Sequence, residues 1–367
     1  MTRTLSTFAT KTDLPNSDIP IFTTIESYRD WRQKAFDEKK SVGFVPTMGA
    51  LHDGHLSLVK HSLAANDLTV LSIFVNPAQF APHEDLATYP RTLPRDLELL
   101  SELSCSTPLP STSPFPSPSK SSVRRPSAVF LPAVKDMYPS GISQDLGKQK
   151  GTFVEVKGYG EQMEGKSRPA FFRGVATVVT KLFSIIQPTN AYFGQKDIQQ
   201  ALLLRRMVSD LHLAHPTASR LRIIPTTRDS TTGLALSSRN AYLTPKELAY
   251  APALYAALRT AGEAWDQGMC KGECIARARG ALQEFMEGVA RSEGGLEGKV
   301  DVRVDYIEFN DADSFDPLLE LDGASNFRSE AGEGGGKAVI LSGAMWVGKT
   351  RLIDNFVLGD DGSILST

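Results

Sequence analysis

The sequence has few cysteines, no excess of either charge and no long apolar run, and each of these absences excludes a class of protein. The three cysteines, Cys105, Cys270 and Cys274, are an odd count in 367 residues. That usage argues against a disulfide framework and for a reducing compartment, so we predict a cytoplasmic protein. Cys270 and Cys274 lack the second cysteine or histidine pair that a tetrahedral zinc site requires, and we assign them no metal.

The charge balance and the hydropathy exclude two further classes. The 40 lysines and arginines nearly cancel the 42 aspartates and glutamates, which leaves a formal net charge of -2. No basic field is therefore available to hold a nucleic acid or an anionic membrane. No apolar run reaches the roughly 20 residues that cross a bilayer, so we expect a soluble protein with small-molecule partners. The first twelve residues weakly resemble an organellar transit peptide, but Asp13 and Asp18 follow at once, and a frayed terminus is the preferred interpretation.

Short β-branched segments alternate with helical patterns over the first two thirds of the chain. This alternation predicts an α/β fold, a doubly wound parallel sheet of the Rossmann-like type with helices on both faces. The predicted strands are residues 41–47, 68–76, 127–132, 191–194 and 221–226, and the predicted helices follow His52 and Arg91 or span residues 171–187 and 196–211. Polar segments follow four of these strands, at the sheet edge where such folds bind their ligands.

Length and a change of pattern predict two domains. At 367 residues the chain exceeds the usual size of a single core. After Thr226, helices over about residues 245–290 precede three strands, which is the order of a separate α+β unit. We therefore predict a Rossmann-like domain over residues 20–226 and a smaller α+β domain over residues 227–367.

A segment rich in serine and proline interrupts the first domain at about residues 104–127. Serine and proline make up 15 of its 24 residues, a composition that cannot bury enough apolar area to offset its ordering entropy. We predict a disordered surface insertion in which Arg124 and Arg125 are solvated charges rather than a docking site.

The strongest motif is PTMGALHDGH, Pro46 to His55, which follows the first predicted strand and begins a helix. Backbone N–H groups and the dipole at a helix start favour phosphate, and the imidazoles of His52 and His55 can donate hydrogen bonds to a triphosphate. Gly49 and Gly54 remove side chains where a nucleotide must approach closely. In the alternative interpretation one histidine caps the helix and the other packs, which the position at the sheet edge disfavours.

HxGH after the first strand is the signature of nucleotidyltransferases, which join an acceptor to the α-phosphate of ATP. Further motifs narrow this resemblance: PTMGALHDGH, SIFVNPAQF, YPRT, SRPAFFRGV, FGQKDIQQ, LALSSRNAYL and TRLIDN. In this order they resemble the successive blocks of the pantothenate synthetase family, from Ser41 to Asn355. The resemblance implies a ligase that uses ATP to condense pantoate with β-alanine through a pantoyl adenylate, releasing AMP and pyrophosphate.

The second half of the nucleotide site is expected in GQKD and SSR. Lys196 can reach the β- and γ-phosphates, and Asp197 can orient a ribose or hold magnesium through water. Ser237, Ser238 and Arg239 supply donors for a departing pyrophosphate. With His52 and His55, the Lys196 and SSR side chains are the expected catalytic groups. The residues that the resemblance implies for ATP are Pro46, Met48, Gly49, His52, His55, Gly194, Lys196, Asp197, Thr227, Leu236, Ser237 and Arg239.

Pantoate is a small hydroxy acid, so its pocket should combine neutral amides with apolar walls such as Met48. The resemblance places Gln79 and Gln200 on pantoate, Asn76 near the reacting carboxyl group and Arg168 near a substrate carboxylate. It also implies a homodimer.

Two positions depart from the family pattern. Phe171 stands where the family usually has histidine, and a phenyl ring cannot hydrogen-bond the carboxylate of β-alanine. Gln195 stands where the family usually has glutamate, which removes a charge beside the magnesium candidate Asp197. Asp96 is the second candidate for magnesium.

The segment GAMWVGKT, Gly343 to Thr350, satisfies the P-loop pattern G-x4-G-K-[ST]. A P-loop requires a helix after it, whereas the following TRLIDNFVL has the β-branched and apolar content of a strand, so we predict a coincidental match. Another HxGH nucleotidyltransferase and a non-catalytic ATP-binding module stay open as alternatives.

Overall fold

The computed structural model describes residues 14–80, 86–108, 121–168, 170–292, 300–327 and 337–366. Its strands are β1 (Ile21–Phe22), β2 (Val42–Thr47), β3 (Leu68–Ile73), β4 (Cys105–Pro108), β5 (Ser121–Arg124), β6 (Ala128–Phe130), β7 (Asn190–Gly194), β8 (Leu221–Ile224), β9 (Val302–Asp311), β10 (Val339–Val347) and β11 (Thr350–Leu358). Its helices are α1 (Ile25–Asp37), α2 (Asp53–Ala65), α3 (Leu93–Glu102), α4 (Val134–Met137), α5 (Glu164–Ser167), α6 (Phe171–Ile186), α7 (Ile198–Asp210), α8 (Pro245–Tyr250), α9 (Ala253–Asp266) and α10 (Lys271–Ser292).

The first sheet has six parallel strands in the order β1-β6-β3-β2-β7-β8. Helices cover both of its faces. Because successive strand residues point to opposite sides, each central strand contributes side chains to two cores. In β2, Phe44 packs in the cluster that contains α1, α6 and α7, whereas Val45 packs with α2 and α3. Both side chains are fully buried. The prediction of a doubly wound α/β fold is therefore confirmed, although neither the two-residue strand β1 nor the helix α1 was predicted.

The strand order brings the functional segments together. β2, β7 and β8 are neighbours in the sheet, and they end at Thr47, Gly194 and Ile224. Because these strands are parallel, the segments that follow them leave the sheet at the same edge.

The second unit is an α+β layer, as the sequence predicts. The antiparallel sheet β11-β10-β9 packs against α9 and α10. At its centre the ring of Trp265 lies 5.1 Å from that of Phe309 and 5.9 Å from that of Phe327. The P-loop match lies in this sheet: β10 runs to Val347, a turn follows, and β11 begins at Thr350. A strand thus stands where a P-loop requires a helix, and the match is coincidental.

The end of the described chain returns to the first unit. The N–H of Ser366 donates to the Ile223 carbonyl at 2.8 Å, and Ile364 is buried in the core beneath β2. A division near residue 226 stays a proposal; it is supported by the position of β8, since no later described strand joins the first sheet.

The serine- and proline-rich segment corrects one prediction. β4 and β5 pair as an antiparallel hairpin, so both ends of this segment are ordered, while residues 109–120 lie outside the described residues. Arg124 is not a solvated charge: its Nη1 donates to the carbonyls of Leu63 and Ala64 at 3.3 Å each. It thereby satisfies carbonyls at the end of α2, where a cation is favoured by the helix dipole.

Among the described residues, none of the helices has both the length and the hydropathy that crossing a bilayer requires.

Candidate active site

A cavity of about 730 Å³ opens at the sheet edge beyond β2, β7 and β8 and extends towards β10 and β11. That volume lies within the range of small-molecule sites. The predicted site residues that line it are Pro46, Met48, His52, His55, Gln79, Arg168, Gly194, Lys196, Asp197, Gln200, Thr227, Leu236, Ser237, Ser238 and Arg239. Gly49, Asn76 and Asp96 do not line it.

The two histidines are fixed by the start of α2. His52 is the N-cap residue, and its Nδ1 accepts the N–H of Gly54 at 3.1 Å. A neutral His52 ring therefore carries its proton on Nε2. The ring centroids of His52 and His55 are 4.1 Å apart, while the Nδ1 of His55 is buried without a hydrogen-bond partner in the described chain. The capping and ligand-binding interpretations of His52 are thus compatible, because each uses a different ring nitrogen.

Both imidazoles are neutral at physiological pH. Burial lowers the pKa of His55 to about 3, with smaller contributions from His52 and Lys196. Burial and then Lys196 also lower the pKa of His52. A neutral imidazole still donates one hydrogen bond, so the pair can bind phosphate oxygens without adding positive charge to the apo cavity.

Asp96 and Gly49 shape the loop before these histidines. The carboxylate of Asp96 accepts the N–H groups of Ala50 at 3.0 Å and Leu51 at 2.9 Å, and the hydroxyl of Thr92 at 3.1 Å. The side chain is almost fully buried. Asp96 therefore fixes the loop backbone, and its geometry does not fit the magnesium role considered for it. Gly49 has a φ of +84°, so it serves the turn rather than the close approach of a nucleotide.

Lys196 and Asp197 follow β7 at the same edge. The Lys196 Nζ lies 3.8 Å from the Asp197 carboxylate, and the side chains are 18% and 51% exposed, respectively. Lys196 is thus largely enclosed by the cavity while Asp197 reaches its mouth. Gln195 does not line the cavity: its Oε1 accepts the N–H of Thr226 at 3.2 Å. The replacement of glutamate by glutamine therefore affects the hydrogen bonding between the ends of β7 and β8 and not the cavity wall.

The serine loop, residues 226–242, has an ordered stem. The Leu236 N–H donates to the Thr227 carbonyl at 3.0 Å, and Arg228 bridges to Ala235. At its tip a 3-10 helix begins at Ser238, after the Ser237 hydroxyl accepts the N–H of Arg239 at 3.2 Å. The three SSR side chains therefore enter the cavity from a short helical turn.

A buried ion pair anchors that stem. Arg228 donates from both terminal nitrogens to the carboxylate of Asp354 in β11, with one contact at 2.9 Å. Its guanidinium lies 4.4 Å from the centroid of Tyr255 and 5.3 Å from that of Phe356. No local sequence pattern indicates this pair, because 126 positions separate its two members.

Of the two carboxamides Asn76 and Gln79, only Gln79 lines the cavity, and Asn76 supports it from behind. Asn76 is nearly fully buried, and its Nδ2 donates to the Gln79 Oε1 at 2.9 Å and the Gly174 carbonyl at 3.2 Å. Its Oδ1 accepts the hydroxyl of Tyr138 at 2.6 Å. Asn76 therefore orients Gln79 instead of lining the cavity as expected. The Gln79 Nε2 is then the group presented to a ligand.

Arg168 and Phe171 form one unit beside Gln79. The guanidinium lies 3.8 Å from the Phe171 ring centroid, and its Nη2 donates to the Gln79 carbonyl at 3.2 Å. The phenyl ring thus supports the arginine by a cation–π contact. It supplies no hydrogen bond of its own.

Cross-unit contacts close the cavity near Arg168. Glu164, at the start of α5, accepts the hydroxyl of Tyr306 at 2.7 Å and the Arg351 Nη2 at 3.0 Å. Burial lowers the pKa of Arg351, but its hydrogen bonds with Glu164 and Asp305 outweigh this and raise the pKa overall. The Arg351 guanidinium therefore stays charged, and its ion pair with Glu164 joins α5 to the second sheet.

Four further cavity residues received no role from the sequence, although the motifs YPRT and TRLIDN contain two of them. Tyr89, Tyr306, Lys349 and Asn355 line the cavity. Burial raises the pKa of Tyr89 to about 12, so its phenol is a hydrogen-bond donor throughout the physiological range. The other three come from the second unit, whose contact with the cavity no local pattern predicts.

A family model described as pantoate-beta-alanine ligase matches residues 20–357. The chain belongs to the pantoate-beta-alanine ligase family.

Individual relatives agree over nearly the whole length. The pantoate–beta-alanine ligase of Saccharomyces cerevisiae is 39% identical over 348 residues, covering 92% of this chain and 99% of the relative. The pantothenate synthetase of Moorella thermoacetica is 40% identical over 338 residues, covering 92% and 98%.

Solved structures of the family share the fold. Pantothenate synthetase from Thermus thermophilus is similar with a TM-score of 0.67 and 35% identity, covering 92% of this chain and 99% of that one. A pantoate-beta-alanine ligase from Francisella tularensis, solved in complex with beta-gamma ATP and beta-alanine, has a TM-score of 0.61 and 30% identity, covering 92% and 97%.

The cavity of this family member therefore offers two chemically distinct ends. One end has the neutral histidine pair, Lys196 and the serine loop, whose donors suit a polyphosphate. The other has the amides of Gln79 and Gln200 and the guanidinium of Arg168, which suit a small hydroxy acid and a carboxylate.

Proposed function

We propose that the chain condenses pantoate with β-alanine in an ATP-dependent reaction that yields pantothenate, AMP and pyrophosphate, a step of pantothenate biosynthesis. The observation that carries the proposal is the convergence of the neutral histidine pair, Lys196 and the SSR residues on one cavity that also receives Gln79 and Gln200. Membership of the family, and the relative solved with beta-gamma ATP and beta-alanine, support the same reaction.

The reaction has two half-reactions in this cavity. The pantoate carboxylate attacks the α-phosphorus of ATP, the bond from that phosphorus to the bridging oxygen breaks, and pyrophosphate leaves with the electron pair. His52, His55, Lys196 and Arg239 stabilise the charge that develops on the phosphate oxygens. The neutral amine of β-alanine then attacks the acyl carbon, the bond from that carbon to the phosphate oxygen breaks, AMP leaves with the electron pair, and the nitrogen releases a proton to water. Arg168 binds the β-alanine carboxylate. Catalysis rests on positioning and charge stabilisation, and no side chain becomes covalent.

Magnesium is proposed to enter with ATP. Among the described residues, no group of three or more His, Cys, Asp and Glu side chains is placed to hold a metal. Magnesium commonly binds through substrate phosphates and one or two carboxylates while keeping several waters. Asp197, half exposed at the cavity mouth, suits that arrangement, in which the metal would offset phosphate charge.

The assembly and the compartment are also proposals. The homodimer rests on the family resemblance, and analytical ultracentrifugation tests it. A cytoplasmic location is supported by the three free cysteines in the described chain, Cys105, Cys270 and Cys274, since oxidising compartments favour disulfides.

Pantoate-dependent exchange of labelled pyrophosphate into ATP tests the first half-reaction by itself. The chain should catalyse exchange only when pantoate is present, and addition of β-alanine should then release AMP. Lys196→Ala should lower the exchange rate by at least roughly 100-fold, whereas Lys135→Ala, which removes an exposed lysine outside the cavity, should not change it. ATP binding without exchange would refute the reaction and leave a binding module; exchange supported by other acids but not by pantoate would indicate another nucleotidyltransferase.

A further inference from the structure

Asn355 of β11 reaches from the second sheet into the phosphate end of the cavity. Its side chain is buried at 2% exposure, and its Nδ2 donates to the carbonyl oxygens of Gln195 at 2.9 Å and Lys196 at 3.0 Å. These two carbonyls belong to the peptide groups on either side of the Lys196 Cα atom. One carboxamide therefore fixes both backbone torsions of the residue that carries the ammonium group.

The Gln195 side chain extends this fixation to β8. Its Oε1 accepts the N–H of Thr226 at 3.2 Å, and its Nε2 donates to the Asn355 carbonyl at 3.5 Å. The ends of β7 and β8 and the middle of β11 are thus joined through Gln195 and Asn355. The neutral amide of Gln195 suits this position because it both accepts and donates, which a carboxylate cannot do.

β11 is itself held rigidly next to Asn355. The preceding residue, Asp354, is 4% exposed, binds Arg228 through both carboxylate oxygens, and accepts the Asn355 N–H at 2.8 Å. The backbone that carries Asn355 therefore cannot shift without breaking a buried ion pair. The Asn355 carboxamide is therefore anchored in place while it binds the backbone of Lys196.

We propose that Asn355 is a positioning residue for the adenylation step, because it sets the direction from which Lys196 meets the triphosphate. The inference rests on the proposed function. Its physical basis is that a displacement of about 1 Å in a charge-stabilising group costs up to roughly 100-fold in rate. Asn355 itself does no chemistry; it acts through the Lys196 backbone. Loss of this contact should not change the rate of the second half-reaction, since pyrophosphate has by then left.

The chain offers a closely matched control. Asn310 in β9 lies in the same sheet, is also 2% exposed, and donates its Nδ2 to a backbone carbonyl, that of Phe315, at 2.8 Å. In both asparagines the Oδ1 is buried without a partner among the described residues. Asn310 does not line the cavity. Asn355→Ala and Asn310→Ala should therefore lower stability in a similar way and differ only in their effect on Lys196.

The two variants are compared in pyrophosphate exchange and in acyl transfer, at a temperature where circular dichroism shows both folded. Asn355→Ala should lower kcat for pantoate-dependent exchange at least roughly 10-fold relative to Asn310→Ala, with the KM for pantoate within about 2-fold. Conversion of added pantoyl adenylate and β-alanine to pantothenate should be within about 2-fold in the two variants. Equal kcat values for exchange would overturn the inference, as would an equal loss in both half-reactions, which indicates a general structural role.

Two additions keep the test decisive. If Asn355→Ala does not fold, Asn355→Ser and Asn310→Ser, which each keep a hydroxyl donor, replace the pair under the same criteria. In the Lys196→Ala background, Asn355→Ala should lower exchange less than about 2-fold further, because its route of action is gone; a full multiplicative loss overturns the inference. A wild-type chain without pantoate-dependent exchange would refute the proposed function itself, whereas normal wild-type exchange with equal variants refutes only the role of Asn355.

Discussion

Acidification should destabilise the folded chain through His55. Burial, and to a smaller extent His52 and Lys196, lower the pKa of His55 to about 3 in the folded state, while an unfolded histidine has a pKa of about 6.5. Below about pH 6.5 the imidazole of residue 55 therefore binds a proton in the unfolded chain but not in the folded chain. The free energy of unfolding falls as the pH is lowered from about 6.5 towards 3, and the contribution is constant above that range.

The magnitude follows from these two pKa values. A pH of 5.0 lies about 1.5 units below the pKa of an unfolded histidine, whereas His55 in the folded chain is still neutral at that pH. At about 1.4 kcal/mol per unit, His55 alone removes roughly 2 kcal/mol of stability between pH 7.5 and pH 5.0. That is a substantial fraction of the roughly 5–15 kcal/mol that is typical of folded domains.

Urea unfolding at pH 7.5 and pH 5.0 measures the effect. Wild type and His55→Gln share every other titrating group, so the difference between their two pH-dependent losses isolates His55. The variant should lose about 2 kcal/mol less than wild type on acidification, and His55→Asn, a second neutral replacement, should behave in the same way. Equal losses in wild type and both variants would refute the buried neutral state of His55.

Three further substitutions test separate parts of the site. Arg351→Ala leaves the Glu164 carboxylate without its cation and should lower the free energy of unfolding by about 3 kcal/mol in urea titrations. Phe171→His adds a donor beside Arg168 and should lower the KM for β-alanine roughly 10-fold in steady-state assays at saturating ATP and pantoate. Gly233→Ala, at a φ of +75° and with no room for a Cβ beside the Tyr255 ring, should lower the thermal midpoint and raise the KM for ATP.

Each of these has an outcome that contradicts it. A stability unchanged by Arg351→Ala would mean that the Glu164 contact contributes nothing to joining α5 and β11. An unchanged KM for β-alanine in Phe171→His would mean that residue 171 does not face the amino acid. If Gly233→Ala lowers stability but leaves the KM for ATP unchanged, the conformation of the serine-loop stem does not affect nucleotide binding.

The sequence predicted the parallel sheet and its binding edge because both depend on local patterns. Alternation of strands and helices determines the doubly wound arrangement, and the carboxyl ends of parallel strands share one edge whatever the strand order. The segments after β2, β7 and β8 could therefore be assigned to one cavity without knowledge of which strands are neighbours. β1 was missed because two residues are too few to show a period.

Residue type alone does not show which way a polar side chain points. Asn76 and Gln79 are both carboxamides within one motif, yet the first is buried behind the second. Asp96 and Asp197 are both carboxylates near the phosphate end, yet Asp96 is occupied by backbone N–H groups. These assignments depend on backbone orientation, which a motif does not specify.

The contacts that shape the cavity from the second unit could not be predicted for a different reason. Glu164 and Arg351 are 187 positions apart, and Asn355 and Lys196 are 159 apart. Pairing across such distances depends on how the two sheets pack against each other. TRLIDN resembles a family motif, but the sequence alone does not show that β11 meets the end of β7.

The charges around the cavity bear on the proposal that magnesium enters with ATP. Two of the lining carboxylates, Glu164 and Asp354, are already bound by arginines, and the histidine pair is neutral. The rigid cation Lys196 is partly offset by Asp197. Apart from Arg168 at the other end of the cavity, the fixed part of the site therefore supplies little net positive charge for a triphosphate that carries several negative charges. Under that proposal, side chains on the serine loop and the β10–β11 turn, together with a metal held by the phosphates, would supply the remaining positive charge.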